Sequence, residues 1–240
     1  NVDKLRDDEH YYGDFGKQFL SNSDITALLT NPRDFKKSTP DNAVFAKGRY
    51  FHQLILEPKK AEAWAFVDMA TRNNKAYKEH CAENEVSFAM LEKEGEEIRS
   101  LVDVMLGNME LFDNIRHDKC EYEVPAIKEI AGEIWKGKAD IVHPDMVIDL
   151  KTTGDINSFK WNAKKYNYDS QAFIYQEMFG KPLVFYVIDK STGMLGVFEP
   201  TNDFIQSGES KVIRAVKQYR AFFGDNPTED IDTYFIHEYI

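Results

Sequence analysis

Apolar positions recur every three to four residues through much of the first half of the chain and every second residue through much of the second half. These are the spacings of a helix face and of a strand face. Ser23 stands where an N-cap belongs and predicts a helix over Asp24–Thr30, stopped before Pro32. Lys47–Leu56 and Lys60–Phe66 read as helical with a break at Pro58. Asn73–Val86 is polar and carries a helix around Lys75–Asn84, while Ser87–Leu111 sets Leu91, Ile98, Val102, Met105 and Leu106 at helical spacing. Residues 1–20 are charged, lack such a stripe and read as a poorly ordered arm.

Beyond residue 119 the period changes. Cys120–Ile130 and Glu133–Val142 alternate in part, with Ala131-Gly132 as the hairpin turn between them. Met146–Thr152 predicts a third strand after a His143-Pro144-Asp145 turn. Helices follow at Ser158–Lys165 and Asp169–Phe179, the second closed by Gly180 and Pro182. Leu183–Ile188 and Leu195–Glu199 are strands about a Ser191-Thr192-Gly193 turn. Asn202–Phe223 is a long amphipathic helix with Val212, Ala215, Val216, Tyr219, Phe222 and Phe223 on its apolar stripe. The tail Ile231–Ile240 is expected to add an edge strand. A mainly helical part (21–118) followed by strands and helices around a mixed sheet (119–240) is an α/β chain, and no repeat or linker divides it. One domain over 1–240 is expected.

The 240 residues, 42% apolar, suffice for one large core. No segment approaches the roughly 20 apolar residues of a membrane span. Cys81 and Cys120 show no metal-ligand spacing and suit a cytoplasmic setting with reduced thiols. They are too few for a four-cysteine iron–sulfur cluster. The net charge of −11 argues against indiscriminate nucleic-acid binding over the whole surface but leaves room for a local basic track. Candidates are Lys36, Lys37, Lys47, Arg49, Lys160, Lys164 and Lys165, each of which also fits an ordinary solvated charge.

Strand periodicity places Asp149 and Lys151 on one face, with Ile148 and Leu150 on the other. Asp140 ends Gly137-Lys138-Ala139-Asp140 on the preceding strand. Buried carboxylates are costly without a cation or hydrogen bonds. Two aspartates brought together by strand pairing, with a lysine two residues on, suit a divalent metal and a water held beside it. A structural Asp149–Lys151 salt bridge fits the same spacing. Glu121, Glu123 and Glu133 lie on neighbouring strands, and the spacing does not choose among them as a further acidic group. His117, His143 and His237 have no supporting context.

Gln171 and Tyr175, four residues apart, share one face of their helix. Upstream, Gly48-Arg49-Tyr50-Phe51-His52 opens the apolar run Phe51–Leu56. The order Gly-x-x-x-His, Gly-x-x-Asp, Asp-x-Lys, Gln-x-x-x-Tyr resembles the RecB-like branch of the PD-(D/E)XK nuclease superfamily. Within it, Ile148–Ile156, Phe159-Lys160, Tyr168 and Gln171–Tyr175 look closest to the RecE (exonuclease VIII) nuclease domain. Ser21-Asn22-Ser23-Asp24-Ile25 and Leu54-Ile55-Leu56-Glu57-Pro58 are similar to that group's N-terminal part. Ala139 stands where the superfamily nominally has proline.

The resemblance implies a restriction-endonuclease-like core, with a central mixed sheet flanked by helices. It implies Mg²⁺ held by His52, Asp140, Asp149 and the Leu150 carbonyl, the imidazole making Mn²⁺ acceptable too. Lys151 would orient the attacking water, with Gln171 and Tyr175 beside the site. Arg49, Thr152, Lys160, Lys164 and Lys165 would contact DNA. The implied activity is 5′→3′ digestion of linear duplex DNA in phage or prophage recombination, in the cytoplasm of a bacterial host. Its implied partners are further copies of the chain in a ring and a single-strand annealing protein. An endonuclease, a single-strand-specific nuclease, a phosphoesterase acting on small nucleotides and a non-catalytic DNA-binding module stay open.

Overall fold

A computed structural model describes residues 2–239. Its centre is a five-stranded sheet in sequential order: β1 (Glu121–Ile130), β2 (Glu133–Val142), β3 (Val147–Thr153), β4 (Leu183–Asp189) and β5 (Leu195–Phe198). All neighbours are antiparallel except β3 and β4, which run parallel in register Asp149↔Phe185 and Lys151↔Val187. Every residue of β4 is buried, as expected for a strand covered on both faces. The fold is the mixed α/β architecture expected of a PD-(D/E)XK core.

Helices cover both faces. They are α1 (Asp24–Thr30), α2 (Ala43–Leu56), α3 (Glu92–Gly107), α4 (Met109–Ile115), α5 (Tyr168–Phe179) and α6 (Asn202–Phe222). On one face Trp135, Ala139, Val147, Phe185 and Val187 pack against α1, α5 and α6. On the other Ile141, Ile148, Leu150, Val184 and Ile188 meet Phe51 and Ile55 of α2 and Ile98 and Met105 of α3. Helix α5 lies close on β2 because Gly137 has no side chain; a Cβ there would meet Met178 Sδ at 2.8 Å and Tyr175 Cε1 at 2.9 Å. Buried Asp169 joins α5 to α6, accepting from Ser207 Oγ and pairing with Lys211 Nζ, each at 2.8 Å.

Three expectations need correction. The first residues are not a loose arm: Val2–Arg6, Asp8–Tyr12 and Asp14–Lys17 form helical turns, and Leu5 is fully buried. Their partners are distant in sequence. Lys138 Nζ reaches Asp8 Oδ1 at 2.7 Å and Lys136 Nζ bonds the Tyr11 carbonyl, so nothing local marks the segment as ordered. The tail forms no strand among the described residues; Ile231–Thr233 is a short turn tied by Arg33 to the Ile231 and Asp232 carbonyls at 3.3 and 2.7 Å. Ile240 lies outside the described residues. Lys60–Phe66 is helical only at its first two residues, the end of a turn over Pro58–Ala61, and Phe66–Val67 instead pairs in parallel with Met90–Leu91. No described helix is long and apolar enough to cross a membrane.

Candidate active site

The hairpin ladder between β2 and β3 contains the pairs Val142↔Val147 and Ile141↔Ile148. Beyond these the side chain of Asp140 takes over. Asp140 Oδ2 accepts from the Leu150 backbone N–H at 2.8 Å, replacing a ladder bond by a side-chain bond. A strand residue turns its N–H and C=O to the same edge, so the Leu150 carbonyl faces this opening too. Strand β2 also changes face here. Ala139 belongs to the α5 side of the sheet and Ile141 to the α2 side, although residues two apart in a regular strand share a face. Directly across on β1, in the register that pairs Tyr122 with Ile141 and Val124 with Ala139, stands Glu123 with φ of +50°. A non-glycine residue in that region marks local strain. Strain and change of face together turn Asp140 toward the opening.

Helix α2 supplies His52. Its Nδ1 lies 2.9 Å from the Gly48 carbonyl one turn back, and its Nε2 lies 3.1 Å from Asp140 Oδ2. Burial disfavours the imidazolium, but the Asp140 charge and the two hydrogen-bonding partners outweigh it and raise the pKa to about 9. Burial likewise penalises the Asp140 carboxylate, yet His52 and Lys151 hold its pKa below the ordinary value. Asp149 goes the other way: burial wins over Lys151, and the Asp140 charge adds to it, so its pKa is raised. Lys151 is half-buried, and the desolvation that disfavours its charge is outweighed by Asp149 and Asp140, which keep it charged. Its Nζ lies 2.7 Å from Asp149 Oδ2 and 4.6 Å from the centre of the Tyr168 ring.

Gln171 donates from Nε2 to Asp149 Oδ1 at 2.6 Å. Tyr175, one turn on, donates to the Lys138 carbonyl at 3.0 Å. Helix α5 thus bonds to both carboxylate-bearing strands. Asp149 Oδ2 is buried, with the Lys151 ammonium near it but no hydrogen bond aimed at it. Two carboxylates close enough to shift each other's ionisation, with a backbone carbonyl and an imidazole on the Asp140 side, are the donor types that suit a hard divalent cation.

Sequence reasoning left Glu123 undistinguished from Glu121 and Glu133. The structure singles it out: burial and the nearby Asp140 push it up to about 7. Only the register, which sets residue 123 against residue 140, would have found it. Glu133 instead binds Arg220 at 2.5 Å, and Glu121 is exposed. The basic candidates also separate. Arg49 is held bidentate by Asp41 at 3.0 and 2.7 Å, Lys36 pairs with Asp24, Lys37 with Asp34 and Lys47 with Glu94. Lys160, Lys164 and Lys165 are exposed and make no ion pair among the described residues, and Trp161 between them is 74% exposed. Thr152 is half-buried at the end of β3.

The His52–Asp140 pair makes metal-free stability depend on pH. A group whose folded pKa is raised stabilises fully below its unfolded value and loses that contribution as pH rises through the folded value. The metal-free protein should therefore exceed His52→Gln in stability by on the order of 2–3 kcal/mol below pH 6.5. The difference should vanish as pH rises through about 9. Denaturant melts of both proteins in chelator across that range check it; a difference that grows with pH would overturn the ion pair.

Comparison with known proteins agrees with this architecture. A family model described as "PDDEXK-like domain of unknown function (DUF3799)" matches residues 17–223. A search of curated proteins finds no match. Among solved structures, a protein from Eubacterium rectale described as a "Putative exonuclease" superposes with a TM-score of 0.65 at 16% identity, over 90% of this chain and 86% of its own. Another, SSO0001, reaches a TM-score of only 0.31 at 16% identity over 69% of this chain and 85% of its own, too low to say anything of the fold. The model's span of the whole sheet and both helical layers decides the matter: the chain belongs to the PDDEXK-like family DUF3799, within the PD-(D/E)XK nuclease superfamily.

Proposed function

We propose that the protein is a divalent-metal-dependent deoxyribonuclease that digests linear duplex DNA from its ends. The observation that carries this reading is the convergence of Asp140, Asp149, His52 and the Leu150 edge where β2 and β3 part, with Lys151 alongside. Asp140, Asp149 and the Leu150 carbonyl would hold Mg²⁺ or Mn²⁺, with His52 completing the set once it gives up its proton. The bound ion supplies Lewis acidity toward a phosphate oxygen and lowers the pKa of a held water.

The rest falls to the chain's own groups. Lys151 faces the phosphate and the attacking water, orients the water and offsets charge that develops on the phosphate. Gln171 fixes the rotamer of Asp149 through its 2.6 Å bond. Tyr175 sets β2 against α5 through the Lys138 carbonyl. The exposed Lys160, Lys164 and Lys165 follow the phosphate backbone as it leaves the site, with Thr152 at the strand end. Trp161 among them offers a ring for an unpaired base.

The resemblance to the RecE nuclease domain supports the finer reading. In it, digestion runs 5′→3′, the chain assembles into a ring around DNA, and it serves phage or prophage recombination beside a single-strand annealing protein. The test uses linear duplex labelled at either end, closed circular duplex, single strands and dinucleotides, each with Mg²⁺ and with chelator. Early release of the 5′ label from linear duplex, metal-dependent and absent on the circle, is expected. Rapid cutting of the circle would make the enzyme an endonuclease, and early loss of the 3′ label alone would reverse its direction. Preference for single strands would change the substrate. Turnover of dinucleotides alone would make it a small-nucleotide phosphoesterase, and binding without cleavage a DNA-binding module.

A further inference from the structure

Beyond the end of β2, three residues past Asp140, a second group of donors converges. His117, Cys120 and His143 each offer a ligand atom, and the three atoms lie within 4.8 Å of one another. We propose that they form a separate transition-metal site, fitted to Zn²⁺, that clips the segment before β1 to the β2–β3 turn.

Topology builds this cluster from residues distant in sequence. The Cys120 N–H donates to the His117 carbonyl at 3.0 Å, a tight turn that brings the two side chains together. The β1–β2 ladder ends at Glu121↔Val142. One residue further along the same register sets Cys120 across from His143. The two imidazole rings meet edge to face with centres 4.9 Å apart. His143 is only 5% exposed, and the other two are half-buried. The cluster therefore sits at the protein's edge, where water can fill a fourth position.

The donor set is two nitrogens and one sulfur, which favours Zn²⁺ and disfavours Mg²⁺ and Ca²⁺. Zinc–ligand bonds of about 2.0–2.3 Å place tetrahedral donors about 3.4–3.7 Å apart, so the three atoms need close by only about an ångström. The bonds surrendered are ordinary neutral ones: the Lys119 and Asp145 N–H groups on the two Nδ1 atoms at 3.2 and 3.1 Å, and the Cys120 thiol on the Asn114 carbonyl at 3.3 Å. Asp118 and Asp145 carboxylates stand 3.2 and 4.0 Å from the ring nitrogens and offset the nearby Lys181, whose ammonium is tied to the His143 carbonyl at 2.8 Å. The thiolate forms by loss of the Cys120 proton as the metal binds, and no electron changes hands.

The test is titration of the metal-free full chain with Co²⁺. A thiolate-to-cobalt charge-transfer band should grow to one equivalent and be displaced by Zn²⁺. The carboxylate site has no cysteine and cannot produce that band. Cys120→Ser should abolish it, His143→Gln should weaken cobalt binding at least tenfold, and Cys81→Ser should leave it intact. Zn²⁺ should raise the melting temperature of the wild type by more than that of Cys120→Ser, which keeps only the carboxylate site. Should His143→Gln fail to fold, the half-exposed His117→Gln decides the same question. No thiolate band in the wild type, or a band that survives Cys120→Ser, would leave a hydrogen-bonded packing cluster and overturn the site.

Discussion

Asp149→Asn should abolish cleavage, with single-turnover rates at least about a thousandfold lower, some 4 kcal/mol of barrier. It should do so while the protein stays folded. The carboxylate is buried with one oxygen bonded to Gln171 and the other beside the Lys151 ammonium, and its charge is what a divalent cation would share. Asparagine keeps an oxygen for Gln171 Nε2 and keeps the side chain's volume. It removes the charge that burial already opposes. The cost is a half-buried Lys151 ammonium left with Asp140 and the Tyr168 ring for company, a loss of about 1–3 kcal/mol rather than unfolding. Strand β3 itself is held by its seven-residue register with β4, which the substitution does not touch. Calorimetric titration with Mn²⁺ should lose binding at the carboxylate site, and circular dichroism should show the fold retained. Near-normal turnover in the folded variant would remove Asp149 from the site.

Lys151→Ala should part binding from rate. Lysine is no ligand to a cation, so Mn²⁺ binding should persist while single-turnover cleavage falls by about 10²–10⁴, or about 3–5 kcal/mol of barrier. The residue also sets the charge of its neighbour. Burial raises the Asp149 pKa and Lys151 opposes that rise, so removing the ammonium moves Asp149 still higher. Metal binding in Lys151→Ala should therefore set in at higher pH than in the wild type, recovering as pH rises and Asp149 ionises. Titrations at three pH values beside single-turnover assays check both parts. Metal binding that stays lost at high pH would show that Lys151 holds the structure together, as in the plain salt-bridge reading of Asp149 and Lys151.

Most elements were legible in the chain because their signals are local. The alternation from Glu121 to Thr153, the uninterrupted apolar run Leu183–Ile188 and the stripe from Val212 to Phe223 need only neighbours within a few residues to be read. Asp149 and Lys151 on one strand face, and Gln171 and Tyr175 on one helix face, follow from the periods alone, and the hydrogen bonds from α5 to Asp149 and to Lys138 agree with that placement. What the chain could not show depends on registry and long-range contact. The turns before Ser21 look unordered until β1 and β2 supply their partners. Glu123 is one glutamate among several until strand pairing sets it against Asp140 with a strained backbone. Arg49 reads as a free cation until Asp41 folds back onto it. His117, Cys120 and His143 carry no spacing motif, because a turn and a ladder, rather than one helix or loop, bring them together. Local composition and period decide which backbone forms and which way its side chains face. Which distant side chains end within bonding range is decided by strand register and helix docking, and those are set by packing of the whole core.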